Sequence, residues 1–132
     1  MDYTLQSAVT HGIRISVRSI FVPEQSSAKN FTYTFAYRIQ IRNESYNTVQ
    51  LIRRHWDIVD ALGEKRVVDG DGVVGQQPVL MPGEEHTYLS GCVFRTPLGR
   101  MEGFYTMVDQ ADYNAFEVTI PPFLLAVPFI QN

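Results

Sequence analysis

Residues 31–43 read FTYTFAYRIQIRN, and the alternation in this stretch decides the fold. Phe31, Tyr33, Phe35, Tyr37, Ile39 and Ile41 share one parity; Thr32, Thr34, Ala36, Arg38, Gln40 and Arg42 share the other. Successive side chains of a strand point to opposite faces, so this period of two sets one face in a core and the other in water. Aromatic and β-branched residues, which suit a pleated surface, dominate the segment. Upstream, IRISVRS repeats the pattern with Ile13, Ile15 and Val17 against Arg14, Ser16 and Arg18, and PEQSSAKN between the two reads as a loop. IRISVRS follows a polar N-terminus and turns arginines outward, so it is expected at a sheet edge, where unpaired backbone groups invite another chain. A weak homodimer through that edge is therefore expected ahead of partner capture by a loop.

Downstream, the turn NESYN leads into VQLIRRHWDIV. Val49 and Leu51 lie on one parity, Trp56 and Ile58 on the other, which predicts a β-bulge near Arg53–Arg54. RVVD, HTYLSGCVF, GFYTMVD and AFEVTIP supply further strands, and no segment carries a sustained 3.6-residue apolar stripe. Short strands separated by turns define an all-β class, an antiparallel sandwich or barrel. Phe35, Tyr37, Ile39, Trp56, Tyr105 and Val118 are its expected core. A chain of 132 residues makes one domain, residues 1–132 with a core of roughly 5–128, long enough to bury that core.

The formal net charge of −3 gives no strong general pull on nucleic acid or anionic membrane. The most apolar run, FLLAVPFI, is too short to span a bilayer and is broken by Pro128. Cys92 is the single cysteine, so no intramolecular disulfide or cysteine metal cluster can form. That usage suits a reducing compartment, and with no secretory pattern at the N-terminus a cytoplasmic location is expected.

Gly70, Gly72 and Gly75 in VVDGDGVVGQQP match the spacing GxGxxG. That fingerprint holds a pyrophosphate only when a helix N-terminus follows the glycines. Pro78 and Pro82 forbid such a helix, no acidic residue stands about 20 positions on, and no Lys-Ser/Thr completes a P-loop. No cofactor is expected. The glycines instead read as positive-φ or closely approached backbone in a loop. Gly70, Asp71, Gly72, Val73, Val74 and Gly75 nonetheless form a candidate binding surface. Asp69 and Asp71 are weak candidates for a divalent cation, because Mg²⁺ and Ca²⁺ prefer carboxylate oxygens. Val73 and Val74 stand where an EF-hand needs further ligands.

Beyond the glycines, LMPGEEHTY carries a turn into a strand with Tyr88, which resembles a tyrosine corner, whose phenol bonds to backbone a few residues upstream. His11, His55 and His86 show no zinc spacing. Cys92, beside Val93 and Phe94, reads as a small buried hydrophobe. Ser90 lacks the nucleophile elbow. Glu84, Glu85, Glu102, Asp109 and Asp112 read as solvated carboxylates, and Arg53-Arg54 is too modest a basic cluster for nucleic acid. No catalytic residue is identified.

RRHWDIVDALGE, GDGVVGQQP, LMPGEEHTYLSG, TPLGRMEGFYTM and IPPFLLAVP, in this order, resemble the bacterial ApaG (CorD) family over roughly Leu5–Pro128. The resemblance implies a fibronectin type III-like β-sandwich, hence an antiparallel two-sheet architecture of the immunoglobulin-like kind. It also implies a role in protein–protein contact, as for the related domains of an F-box protein and a polymerase-δ-interacting protein. Bacterial members are linked genetically to cobalt tolerance and magnesium efflux, and their gene often neighbours a diadenosine tetraphosphate hydrolase. No catalytic activity is established for them. DQADYNAF, Asp109–Phe116, departs from the family's Asn/Asp-Gly turn. The resemblance thus points to a non-enzymatic interaction domain with an unidentified protein partner. The alternative is a metal- or nucleotide-responsive protein acting through Gly70–Gly75.

Overall fold

The computed structural model describes residues 5–128. Nine strands follow in order: β1 (Gln6–Thr10), β2 (Ile13–Phe21), β3 (Tyr33–Asn43), β4 (Val49–Asp60), β5 (Lys65–Asp71), β6 (Val79–Leu80), β7 (Glu85–Phe94), β8 (Leu98–Asp109) and β9 (Ala115–Ala126). They form two antiparallel sheets, β1-β2-β3-β7 and β5-β4-β8-β9, with β6 on β4. The expected sandwich is formed. Two single-turn 3₁₀ segments, Pro23–Gln25 and Ala28–Asn30, occupy the loop before β3.

The inward parity of each long strand supplies the core. Ile13, Ile15 and Val17 of β2 and Phe35, Tyr37, Ile39 and Ile41 of β3 face Trp56, Ile58, Tyr105, Met107, Val118 and Leu125 of the opposite sheet, all buried. Trp56 packs edge-on against Tyr37 and Phe123. The parity switch in β4 is a register irregularity between Leu51 and Arg53 on the β8 side, one residue upstream of its expected place.

IRISVRS is not an edge. The preceding residues Gln6–Thr10 return through His11-Gly12, both at positive φ as a two-residue hairpin turn requires, and pair with β2 along its outer side. β2 is therefore flanked by β1 and β3, and a dimer cannot form through it. The strand ends are β1 and β7 in one sheet and β5 and β9 in the other. β1 and β9 lie side by side: the Thr119 N–H donates to Thr10 Oγ1 at 3.2 Å. Ser19 Oγ donates to the Leu124 carbonyl at 2.8 Å and draws β2 onto β9. β5 and β7 form the other side, and a cleft lies between them.

AFEVTIP runs further than its prolines suggest. Pro121-Pro122 fall at a register irregularity of β9, a strand with one sheet neighbour, where missing donors do not break the ladder. The departing turn Asp109–Phe116 is built on carboxylates. Asp109 Oδ1 accepts from the Ala111 N–H, Asp112 Oδ1 from the Asn114 N–H, and Tyr113 takes positive φ where a glycine would serve.

Phe35 is 1 % exposed and packs against Phe21 and Phe94. Phe35→Ala is expected to lose about 3–5 kcal/mol, as buried aromatic truncations do. Urea unfolding of the variant against the parent chain measures it, and an unchanged midpoint would place Phe35 outside the core.

Candidate functional site

β5 continues into the glycine loop. Val73 and Gln76 exchange two backbone bonds, 2.8 and 3.0 Å, across a tip formed by Val74 and Gly75, both at positive φ. A β-branched residue in this region is a genuine outlier. Val73 is buried under the sheets and Val74 stands exposed. Gly72 takes positive φ, and a Cβ there would run into the Gln76 carbonyl. Gly75 leads to the short strand β6, not to a helix N-terminus, so the loop lacks the element that a pyrophosphate fingerprint uses.

The two aspartates of the loop are engaged. Asp71 accepts from Arg53 at 2.6 Å, and Asp69 meets His55 Nδ1 at 2.7 Å. His55 Nε2 lies 3.1 Å from Asp57, and its ring stacks on Phe104 at 4.8 Å. The two imidazole nitrogens thus face different carboxylates on opposite sides of the ring. Among the described residues no group of three His, Cys, Asp or Glu side chains is placed to hold a metal ion.

Arg54 lies on the opposite parity from Arg53. The irregularity at Ile52 aligns it with Trp56 and Ile58, so it points between the sheets. Its Nη1 donates to the carbonyls of Asp71 and Gly72, each at 3.0 Å. Gly70 makes this possible: a Cβ there would lie 2.8 Å from both terminal nitrogens. Arg66 of β5 also shares the inward parity. It reaches across to β7, donating to the Val93 carbonyl at 2.8 Å and Cys92 Sγ at 3.0 Å, with its guanidinium 5.6 Å from the centre of the Phe94 ring. Neither Arg54 nor Arg66 pairs with a carboxylate among the described residues.

Together these side chains line a cleft of about 580 Å³ between β5 and β7, with Tyr37, Trp56, Ser90 and Cys92 on its walls. Burial pushes the Cys92 thiol up, against the influence of Arg66, so the protonated form is favoured and a nucleophilic role is not. Burial likewise raises Tyr37, opposed by Ser90 beside it. The site is therefore a positively charged, aromatic-walled recess that can receive an anionic or hydrogen-bonding group. Sequence reasoning took Arg54 only as part of a modest basic cluster and gave Arg66 no role; the parity they share with Trp56 and Val68 was the signal that aims them at the cleft.

Tyr88 is not a tyrosine corner. Its hydroxyl is hydrogen-bonded to that of Tyr105, on the facing sheet, rather than to backbone. Both phenols are buried, and desolvation raises both strongly. The turn that leads to Tyr88 is held separately: the Glu84 N–H donates to the Met81 carbonyl at 2.9 Å, and Glu84 Oε1 accepts from the Met81 N–H at 2.7 Å.

Fold and site together define an all-β two-sheet sandwich with one shielded side and one open, basic side. A family model described as the ApaG domain matches residues 23–109. The Protein ApaG of Anaeromyxobacter dehalogenans is 51% identical over 128 residues, covering 97% of this chain and 100% of its own. The Protein ApaG of a Methylobacterium species is 49% identical over 128 residues, covering 97% and 98%. The crystal structure of an ApaA protein from Bordetella pertussis superposes with a TM-score of 0.85 at 46% identity, over 88% of this chain and 94% of that one. The chain belongs to the ApaG domain family.

Two outcomes follow from the geometry. Tyr88→Phe and Tyr105→Phe each leave one buried hydroxyl unpartnered, so each is expected to lose about 1–3 kcal/mol, and the double variant less than their sum. Additive losses in urea unfolding would break the pairing. The hydrogen bond that His55 donates to Asp69, with Asp57 adding to it against desolvation, holds the His55 pKa above its ordinary value. Its contribution to stability is therefore complete below the unfolded pKa of about 6.5 and lost as pH rises through the higher folded value. NMR titration should show His55 above that reference and Asp69→Asn lowering it; an unshifted His55 would contradict the contact.

Proposed function

We propose that this chain is a non-enzymatic interaction module that binds another protein in the cytoplasm through the open side of its sandwich. One observation carries the reading: β5 and β7 end their sheets next to each other around a cleft holding two guanidiniums without carboxylate partners among the described residues. Exposed edges are templates for another chain, and proteins usually cover or charge them. Here one pair of edges is mutually covered and the other is not.

Among the described residues lining the cleft no nucleophile is paired with a base, and its thiol is raised away from the reactive form. The glycine loop belongs to the same surface, because Arg54 ties its carbonyls to the cleft wall. The exposed Val74 at the tip is a second contact point on that side. A metal-responsive role through Asp69 and Asp71, in line with the family's link to cobalt and magnesium handling, would have to displace His55 and Arg53 first.

The reading is tested by affinity capture from the native cell, followed by reciprocal capture with the recovered partner tagged. A single protein returned in both directions is the expected outcome. Calorimetric heat with Mg²⁺, Co²⁺ or a nucleotide, with no reciprocal partner, would replace this reading with the metal- or nucleotide-responsive one.

A further inference from the structure

We propose that β7 receives an extended, acidic segment of the partner as an added antiparallel or parallel strand, with its carboxylates in the cleft on Arg66 and Arg54. This rests on the interaction-module reading and names how the module would bind.

The backbone of β7 has a defined direction. Thr34 sends its carbonyl to the Val22 N–H at 2.9 Å and its own N–H to Ser26 Oγ at 2.9 Å, both away from β7. Val93, its register partner, must then turn its backbone away from β3. At the other end of the same unbroken ladder the Asn43 N–H donates to the Glu84 carbonyl at 2.9 Å, which turns Glu84 inward and Glu85 outward. Thr87, Leu89, Gly91 and Val93 therefore present their N–H and C=O groups to the open side. Arg66 already treats the Val93 carbonyl as a free acceptor.

A strand placed along these residues alternates its side chains between two environments. One set follows the parity of Ser90 and Cys92 into the cleft, towards the two cations. The other set follows Leu89 and Val93, which are 63% and 50% exposed, on the outer face. Arg38 stands opposite Leu89, and Arg18 opposite Arg38, so the outer face also favours negative charge. The fitting segment thus alternates Asp or Glu with apolar residues. An N–H of that segment can replace Arg66 on the Val93 carbonyl, which frees the guanidinium for a carboxylate in bidentate geometry. The β5 edge fits such a segment less well, since Asp69 and Asp71 lie on its outward-facing positions.

The probes are a capped heptapeptide alternating Val and Glu and its Val–Lys counterpart, added to the ¹⁵N-labelled full chain. The expected result is shifted, exchange-protected amides at Thr87, Leu89, Gly91 and Val93 with the Glu peptide, and binding of the Lys peptide weaker by about tenfold or more, the scale of a lost charge-assisted contact. Arg66→Gln, at an exposed position, should weaken the Glu peptide on the order of tenfold. Leu89→Pro removes a donor from the open edge and none from the β3 ladder, so the variant should stay folded and lose protection along β7. No binding at millimolar peptide, equal binding of both peptides, or shifts confined to β5 or the Arg18–Arg38 face overturns the proposal. A reciprocally captured partner that is retained by both variants also overturns it, and leaves the interaction-module reading standing.

Discussion

The carboxamide of Asn43 is the contact on which the sandwich depends. The residue is fully buried at the end of β3, and its side chain is saturated. Nδ2 donates to the carbonyls of Asn47 and Leu80 at 2.8 and 2.9 Å, and Oδ1 accepts from the N–H and hydroxyl of Ser45 at 2.9 and 2.6 Å. Its backbone N–H and C=O serve Glu84 and Gly83. The chain crosses between sheets twice at this end, from β3 to β4 and from β6 to β7, and Asn43 bonds to both crossings. A buried amide is tolerated only when satisfied, and there it fixes one arrangement because alternatives leave polar groups stranded. By holding Glu84 it also sets the register of β7, and so decides which residues of that strand face the cleft.

The second constraint is the arginine inside. An extra residue in β4 moves Arg54 to the core parity, and Gly70 leaves room for its head. The guanidinium of Arg54 between the sheets and that of Arg66 at the exposed mouth of the cleft resist desolvation, because a charge without a counter-charge is costly to bury. β5 and β7 therefore cannot close over them as β1 and β9 close on each other. The open cleft is a consequence of charge placement, and the glycine spacing that resembles a nucleotide motif is a consequence of accommodating Arg54 and a tight turn.

Most strands were legible because apolar alternation over six or more residues fits a half-buried strand and conflicts with the period of a helix. The bulge was legible from its parity switch. β1 was not: Gln6–Thr10 has no apolar face, and its only signal is the His11-Gly12 turn. The Tyr88 partner was illegible for a different reason. A buried phenol needs a bond, but the choice between upstream backbone and Tyr105 depends on how the sheets align. The cleft residues were each visible, while their convergence required both the inward parity of Arg54 and Arg66 and the adjacency of β5 and β7. Asn43 reads from sequence as an ordinary turn residue, because nothing local announces that two crossings meet on it.

Charge follows the same logic at the scale of the molecule. Residues 1–66 carry nine Lys/Arg against six Asp/Glu and residues 67–132 two against eight, and the two halves interleave, since β7 joins β2 and β3 while β4 and β5 join β8 and β9. Interleaving does not disperse the arginines of β2 and β3, which meet as Arg14 opposite Arg42 and Arg18 opposite Arg38. Like charges directly opposite are unfavourable unless compensated. Glu44 lies 2.8 Å from Arg14 and 3.8 Å from Arg42, with Glu85 4.0 Å from Arg42, which relieves the first pair. The second has no carboxylate among the described residues and lies one strand away from the β7 edge. Around Leu89–Val93, Arg38 and Arg18 on the outer face and Arg54 and Arg66 at the cleft bracket that edge with positive charge. A strand added there, as proposed, would favour acidic segments over the same edge of a second copy, whose flanking arginines would be brought close.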